Sequence, residues 1–329
     1  MKLHENKTLY RQSIQYTADL LKIPAIYIEK DYWVSYALFT IFNNEIGKDT
    51  VFKGGTALSK CFNLIERFSE DIDLVVLRRE GETNNQLTNK IKKISKVVSE
   101  VLPEINITGL TQKMGMNRKT AHSYTKEFKG KHGQVRDFLV VEATWLGYHE
   151  PYTVKPLNSF VGHMMLQTGQ NTLAETHGMM PFEVKVLEPI RTLCEKIMSL
   201  VRFSYANDPI GDLKNKIRHL YDLHQLLLQQ EFAIFFYSEA FDKMLLKVAQ
   251  DDIVSFKNNN GWLEFHPADA LIFRDITKVW NDLAPIYTGQ FKNLVYGEFP
   301  TETLIFETLT RIKERLQTIN WTIKLDSTS

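Results

Sequence analysis

Cysteine is nearly absent from this chain. Cys61 and Cys194 are the only two in 329 residues, and they share no motif spacing. That excludes a disulfide scaffold and a cysteine-based zinc site, and it fits a reducing compartment. Long apolar runs are missing too: FAIFFY and DLVVL are core-sized, far short of the roughly 18 residues of a membrane span, so no membrane is expected as a partner. The opening MKLHENKTLYRQS lacks the apolar h-region of a secretory signal, so the expected location is the cytoplasm. Neither an internal repeat nor a low-complexity tract is found. What is present is an ordinary globular composition, 43% hydrophobic and 24% charged, in a chain long enough for two packed units.

Net charge is also close to nil, at +1, but it is unevenly spread. From Arg78 to Arg136 there are 13 Lys or Arg against 5 acids, a net +8, which leaves about −7 for the remainder. Such asymmetry either draws a polyanion to one face or is simply a solvated helix face followed by a flexible basic loop.

Residues 8–47 read as helices, with IEKDYWVSYALFTIF apolar nearly all round, as for a helix buried between layers. DTVFKGGTALSK is a short strand broken by two glycines and followed by a helix. SEDIDLVVL reads as a strand buried on at least one face, and NQLTNKIKKISKVVSEVL as an amphipathic helix. INITGLTQ and QVRDFLVVEATWLG are expected to be further strands, 151–182 a connection, and FEVKVL a last strand. Beyond Glu188 the period is helical almost throughout, with Pro189 suited to a first helical position. The expected architecture is α/β (α+β), with an α/β domain over 1–185 and a helical domain over 186–329.

The stretch that carries chemistry is KGGTALSKCFNLIERFSEDIDLVVL. Residues two apart on a strand point to the same face, so Asp71 and Asp73 present two carboxylates together. Two like charges that close are unfavourable unless something divalent lies between them, and oxygen-only ligation favours Mg²⁺ or Mn²⁺. Some 16 residues upstream, Gly54-Gly55-Thr56 offers backbone N–H groups and a hydroxyl at a helix start, suited to a phosphate. Each feature is weak alone; the combination is specific.

This combination resembles the glycine-turn and DxD signature of the DNA polymerase β-type nucleotidyltransferase superfamily, and GGTAL…RFSEDIDL is similar to the AbiEii type IV toxin family in particular. EKDYWV at 29–34, EVKVLEPIRTLCEKI at 183–197 and IRHLYDLHQL at 217–226 resemble further segments of that family, so that roughly residues 25–230 are covered. The resemblance implies a polymerase β-like core with a mixed sheet, Gly54, Gly55 and Thr56 on the nucleotide phosphates, and Asp71 and Asp73 on Mg²⁺. It also implies that Lys196 neutralises the triphosphate, that Asp222 is a further catalytic or metal-organising acid, and that the helical domain contributes both to the cleft.

Each position also has a plainer reading. The two glycines permit a tight turn whether or not a phosphate is bound. Thr56 and Ser69 are either caps or nucleotide contacts. Lys196 falls at the edge of its helix's apolar stripe, from which it reaches a cleft or snorkels to solvent; Arg202, further along, is a second candidate phosphate contact. Asp222 lies opposite its stripe, where an ion pair with Arg218 is the plain alternative. Glu142, embedded in RDFLVVEATW, is the natural third metal acid, or half of a buried pair with Arg136 or a nearby lysine.

The expected function is transfer of a nucleotidyl group from an NTP, with Mg²⁺ or Mn²⁺, to an RNA acceptor, transfer RNA foremost. The resemblance implies a toxin restrained by a cognate antitoxin. One alternative keeps the chemistry but changes the acceptor to a small molecule or a protein side chain; another is a non-catalytic nucleotide-binding partner module.

Overall fold

The structure, a computed structural model, describes residues 1–113, 115–130, 135–147 and 149–325. Lys131 of the basic span lies outside the described residues. The chain divides into two compact units. The first comprises Met1–Asn63, Arg67–Trp145 and Tyr152–Leu187, and the second Leu64–Glu66, Leu146–Pro151 and Glu188–Ser329.

The first unit runs α1 (Lys7–Leu21), α2 (Ala25–Phe42), β1 (Thr50–Lys53), α3 (Gly54–Phe62), β2 (Asp71–Val76) and α4 (Asn84–Ser99). It continues with β3 (Glu104–Ile105), β4 (Asn117–His122), β5 (Leu139–Thr144), β6 (Tyr152–Leu157), α5 (Phe160–Gln167), α6 (Asn171–Thr176) and β7 (Phe182–Leu187). The strands form one mixed sheet in the order β3-β4-β5-β2-β1-β7-β6, with β2–β5 and β1–β7 parallel and the other pairs antiparallel. Ile72, Leu74, Val75 and Val76 bury β2 in the middle of the sheet, and α2 and α4 both pack against β2 and β5. The amphipathic α4 starts on a capping box, Thr83 with Gln86, and buries Leu87, Ile91, Ile94, Val97 and Val98.

Three segments depart from the expectation. INITGLTQ contributes only Ile105 to a strand, because Gly109 at φ 76° and a turn closed by Leu110 N–H on the Ile107 carbonyl end the extended run. The supposed flexible loop of the basic span contains β4, a strand of Asn-Arg-Lys-Thr-Ala-His, paired along its whole length with β5. The stretch 151–182 is no connection: it supplies β6, α5 and α6 to the first unit.

Helix α2 is buried on every side, and its three consecutive charges are buried with it. At 100° per residue, Glu29, Lys30 and Asp31 point three ways. Glu29 accepts the backbone N–H groups of Glu127 (2.7 Å) and Phe128 (3.3 Å). Lys30 donates to the Glu70 carboxylate, to the Arg136 carbonyl and to the Phe138 carbonyl (2.8 Å). Asp31 pairs with Lys60 of α3 and accepts the Phe160 N–H at the start of α5 (2.8 Å). The EKD tripeptide therefore ties α2 to the loop at 127–128, to the lead-in of β2 and of β5, and to α3 and α5.

The second unit is helical: α7 (Pro189–Phe203), α8 (Pro209–Asn215), α9 (Ile217–Leu228), α10 (Gln230–Phe236), α11 (Glu239–Ser255), α12 (Leu271–Arg274), α13 (Ile276–Ile286) and α14 (Glu302–Gln317). Helix α7 packs against α9 and α11, and its buried Arg191 holds Asp251 of α11 at 2.5 Å and Glu195 at 3.1 Å.

The Lys30–Glu70 pair has side chains 0% and 2% exposed, so removing one partner strands the other charge in the core. Lys30→Met is expected to lower the free energy of unfolding by about 3–5 kcal/mol, read by urea denaturation. A loss below about 1 kcal/mol, the range of an exposed pair, would show that the tie is not structural.

Candidate active site

Strand register brings four charged residues into one row across the sheet. Lys53 of β1 is opposite Asp73 of β2, Asp73 is beside Glu142 of β5, and Glu142 is opposite Lys119 of β4. Registered neighbours share a face, so the row reads cation, acid, acid, cation. One step further along the same face, Val51 and Val75 pack with Leu187. The acids thus stand where an apolar layer ends, and burial is the largest influence on Asp73. Burial, followed by the charges of Glu142 and Asp71, pushes its carboxyl up to about 7, only partly offset by Lys53 and Lys119. Glu142 goes the other way. Burial works to raise it, but Lys119 at 3.0 Å and the Asn117 amide at 2.9 Å hold it below the usual carboxylate range.

Asp71 is two residues before Asp73 on β2. Its carboxylate accepts from the Arg136 guanidinium at 2.7 Å. Arg136, weighed from sequence as a partner for Glu142, thus pairs with Asp71 instead, and Lys119 is the lysine that takes Glu142. The backbone of Arg136 is fixed separately: its N–H lies 3.2 Å from both oxygens of Glu70, and its carbonyl accepts from Lys30. Burial raises the Glu70 carboxyl, against the opposing charge of Lys30.

The glycine turn lies directly on these groups. Gly54 has φ 82°, and a Cβ there would run into the Asp73 carboxylate. A Cβ on Gly55 would meet the Arg67 guanidinium at 2.5 Å and the Ser69 hydroxyl at 3.2 Å. Gly54 is favoured by its backbone conformation, and a side chain at either position would displace the Asp73 carboxylate or the Arg67 guanidinium. Thr56 is 1% exposed, and its hydroxyl donates to the Asp71 carbonyl (2.6 Å) and pairs with Ser69 Oγ (2.9 Å). Thr56 and Ser69 together brace the backbone of the first aspartate rather than capping α3, whose N-cap is Lys53.

Within the second unit, Lys196 of α7 and Asp222 of α9 form an ion pair at 2.7 Å, with side chains 7% and 0% exposed. On a helical wheel Asp222 lies opposite the apolar stripe of its helix. The structure buries it because α9 is covered by α7, α10 and α14, and Tyr221, Asp222, Leu223 and His224 are all buried in succession. Lys196, at the stripe's edge, runs into that core. Arg202 lies over the rings of Phe256 (4.0 Å) and Phe203 (4.6 Å), and burial lowers its pKa. His224 packs through a 2.8 Å contact with the Thr308 hydroxyl.

Among the described residues, no three His, Cys, Asp or Glu side chains converge as a ready metal-ligand set. Two carboxylates are enough for Mg²⁺, which keeps water and completes its shell with substrate phosphates. Asp71 and Asp73 are all-oxygen donors on one face, and the raised Asp73 carboxyl marks a place short of positive charge, so the residues present fit such an ion. Glu142 is beside Asp73 but is already held by Lys119 and Asn117.

Residues 36–316 match the family model described as nucleotidyl transferase AbiEii toxin, type IV toxin–antitoxin system; the match reaches well past residue 230, where the resemblance read from sequence ends, but begins after EKDYWV at 29–34. Among solved structures, the chain is similar to MenT4, a nucleotidyltransferase toxin from Mycobacterium tuberculosis, at 16% identity and a TM-score of 0.52, covering 93% of this chain and 85% of that one. It is also similar to JHP933 from Helicobacter pylori, at 14% identity and a TM-score of 0.39, covering 86% and 91%. No curated protein matches by sequence. The MenT4 likeness supports the observed fold, a mixed sheet followed by helices.

The raised Asp73 carboxyl has a thermodynamic consequence. Its folded pKa, about 7, exceeds the ordinary value, so ionising it costs stability as pH rises from about 4 through 7; below about 4 the cost vanishes. Without divalent cations, Asp73→Asn is expected to be more stable than wild type at pH 8 by about 1–3 kcal/mol, and equally stable near pH 4, by urea denaturation. Equal stability at pH 8 would contradict the assigned environment.

Proposed function

The chain belongs to the AbiEii nucleotidyltransferase toxin family of type IV toxin–antitoxin systems, and from that premise we propose that it transfers a nucleotidyl group from an NTP to an RNA acceptor, transfer RNA foremost, with a divalent cation held by Asp71 and Asp73. The family implies an NTP substrate and an antitoxin counterpart. The observation that carries the site assignment is the Asp73 carboxylate, pressed between Asp71, Glu142 and the Gly54 turn.

When bound, the cation would offset the two carboxylates and polarise the phosphoryl group under attack. The protein's own part is positioning and charge, which is most of what such transfers require. Gly54 and Gly55 form the turn on which the phosphates rest, and Thr56 with Ser69 holds Asp71 in place. Glu142 and its partner Lys119 flank Asp73 and set its charge. The motifs that contain them suggest Lys196 for the triphosphate and Asp222 as a further catalytic acid; their buried 2.7 Å pair also joins α7 to α9. Arg202 is a weaker phosphate candidate, since its guanidinium is already stacked on Phe256.

A second acceptor class is favoured by one observation. Much of the basic span is paired locally: Arg79 with Asp49, Lys90 with Glu82, Lys93 with Glu45, Lys113 with Glu104 and Lys126 with Asp137. That leaves less positive charge for an RNA backbone and suits a small-molecule or protein side-chain acceptor.

One assay separates the readings. Purified protein is incubated with Mg²⁺, total transfer RNA and each of the four NTPs labelled at the α-phosphate, beside Asp73→Ala. Label is expected in RNA with wild type, reduced at least about 100-fold in the variant, and falling as salt rises. Label on the protein or in a small product would instead select the second acceptor class.

A further inference from the structure

Two arginine- or lysine-to-carboxylate pairs near β2 differ in exposure. Lys30–Glu70 is sealed, at 0% and 2%. Arg136–Asp71, at 2.7 Å, is 37% and 36% exposed. A half-exposed pair is worth little and can exchange, whereas a sealed one cannot without stranding a charge. The two are also linked: Glu70 and Lys30 hold the N–H and carbonyl of Arg136, so its main chain is pinned, while its guanidinium reaches Asp71 at 2.7 Å and stands 3.6 Å from Glu70, whose charge Lys30 also meets.

We propose that Arg136 is an exchangeable counter-ion and a phosphate ligand. It neutralises Asp71 while the site is unloaded, gives Asp71 up to the divalent cation, and places its guanidinium on the phosphates of the incoming NTP. The pinned backbone limits that movement to side-chain rotation. A guanidinium presents a planar fork of donors that fits phosphate oxygens as well as a carboxylate, so the same group serves both states. At Asp71 a single positive charge gives way to a divalent one, and the displaced guanidinium is neutralised by the phosphates. No bond is made or broken. This inference rests on the metal and NTP reading given above.

The test uses the full chain and two binding measurements that do not depend on turnover. Mn²⁺ alone is titrated by electron paramagnetic resonance, and each of the four NTPs with Mg²⁺ by calorimetry. The proteins are wild type, Arg136→Gln, Arg136→Lys, Asp73→Asn and, as a neighbouring charge control, Lys126→Gln, with folding checked by circular dichroism. For Arg136→Gln the expected changes have opposite signs: Mn²⁺ binds about two- to five-fold tighter because a competitor is gone, and Mg²⁺–NTP binds about ten-fold weaker or more. Arg136→Lys is expected to lie between Gln and wild type, and Lys126→Gln to move neither value. Unchanged or weaker Mn²⁺ binding in Arg136→Gln, or unchanged NTP binding, overturns the exchange while leaving the metal site standing. Wild-type Mn²⁺ binding that is absent, or that survives Asp73→Asn, overturns the metal reading itself and the exchange with it.

Discussion

Strand register forces Asp73 and Glu142 side by side on parallel neighbours, and the polar architecture around them answers that repulsion. Like charges at such spacing are stable only where cations or hydrogen bonds divide the field between them. Lys119 and Asn117 take Glu142, Arg136 takes Asp71, and Lys53 closes the row at the other end. Asp73, nearest the apolar layer, keeps the unresolved share, which is why its carboxyl rises while Glu142's falls. The assembled charge pattern leaves Asp73 short of positive charge beside the Gly54 turn.

That pattern would blur if the elements carrying it could shift. Their positions are set by buried charge pairs rather than by apolar packing alone. Lys30 fixes the lead-ins of both β2 and β5 through Glu70, Arg136 and Phe138, so the strands bearing Asp73 and Glu142 are referenced to one ammonium group. Buried pairs are costly relative to apolar substitutes, and their usual merit is in specifying one arrangement among many. The second unit repeats the device, with Arg191–Asp251 and Lys196–Asp222 joining helices of its core.

What could be read from sequence followed from local period and spacing. The strand at DIDLVV, the helix at 84–99, the turn at Gly54-Gly55 and the carboxylates on one face all depend on residues a few positions apart. Strand β4 escaped because Asn-Arg-Lys-Thr-Ala-His has no apolar alternation; it is held by pairing with β5 and by side-chain contacts such as Lys119–Glu142. Segment 151–182 escaped because its low charge resembles a linker, although it carries β6, α5 and α6. The partners of the site acids were illegible for a related reason: Arg136 with Asp71 and Lys119 with Glu142 are set by non-local register. Burial of Asp222 was invisible to a helical wheel, which sees one contact face where α9 has several.

Helix α2 spends three adjacent residues on three separate segments, so its rotational phase is a shared setting. A point change at Glu29, Lys30 or Asp31 loosens one tie and spares the other two. Insertion or deletion of one residue just after Asp31 turns the tripeptide by about 100° against the buried residues that follow, and misdirects all three at once. In this fold a length change in α2 is therefore a different class of event from a substitution, because the phase between the EKD tripeptide and the buried residues after it helps to set where β2 and β5 lie.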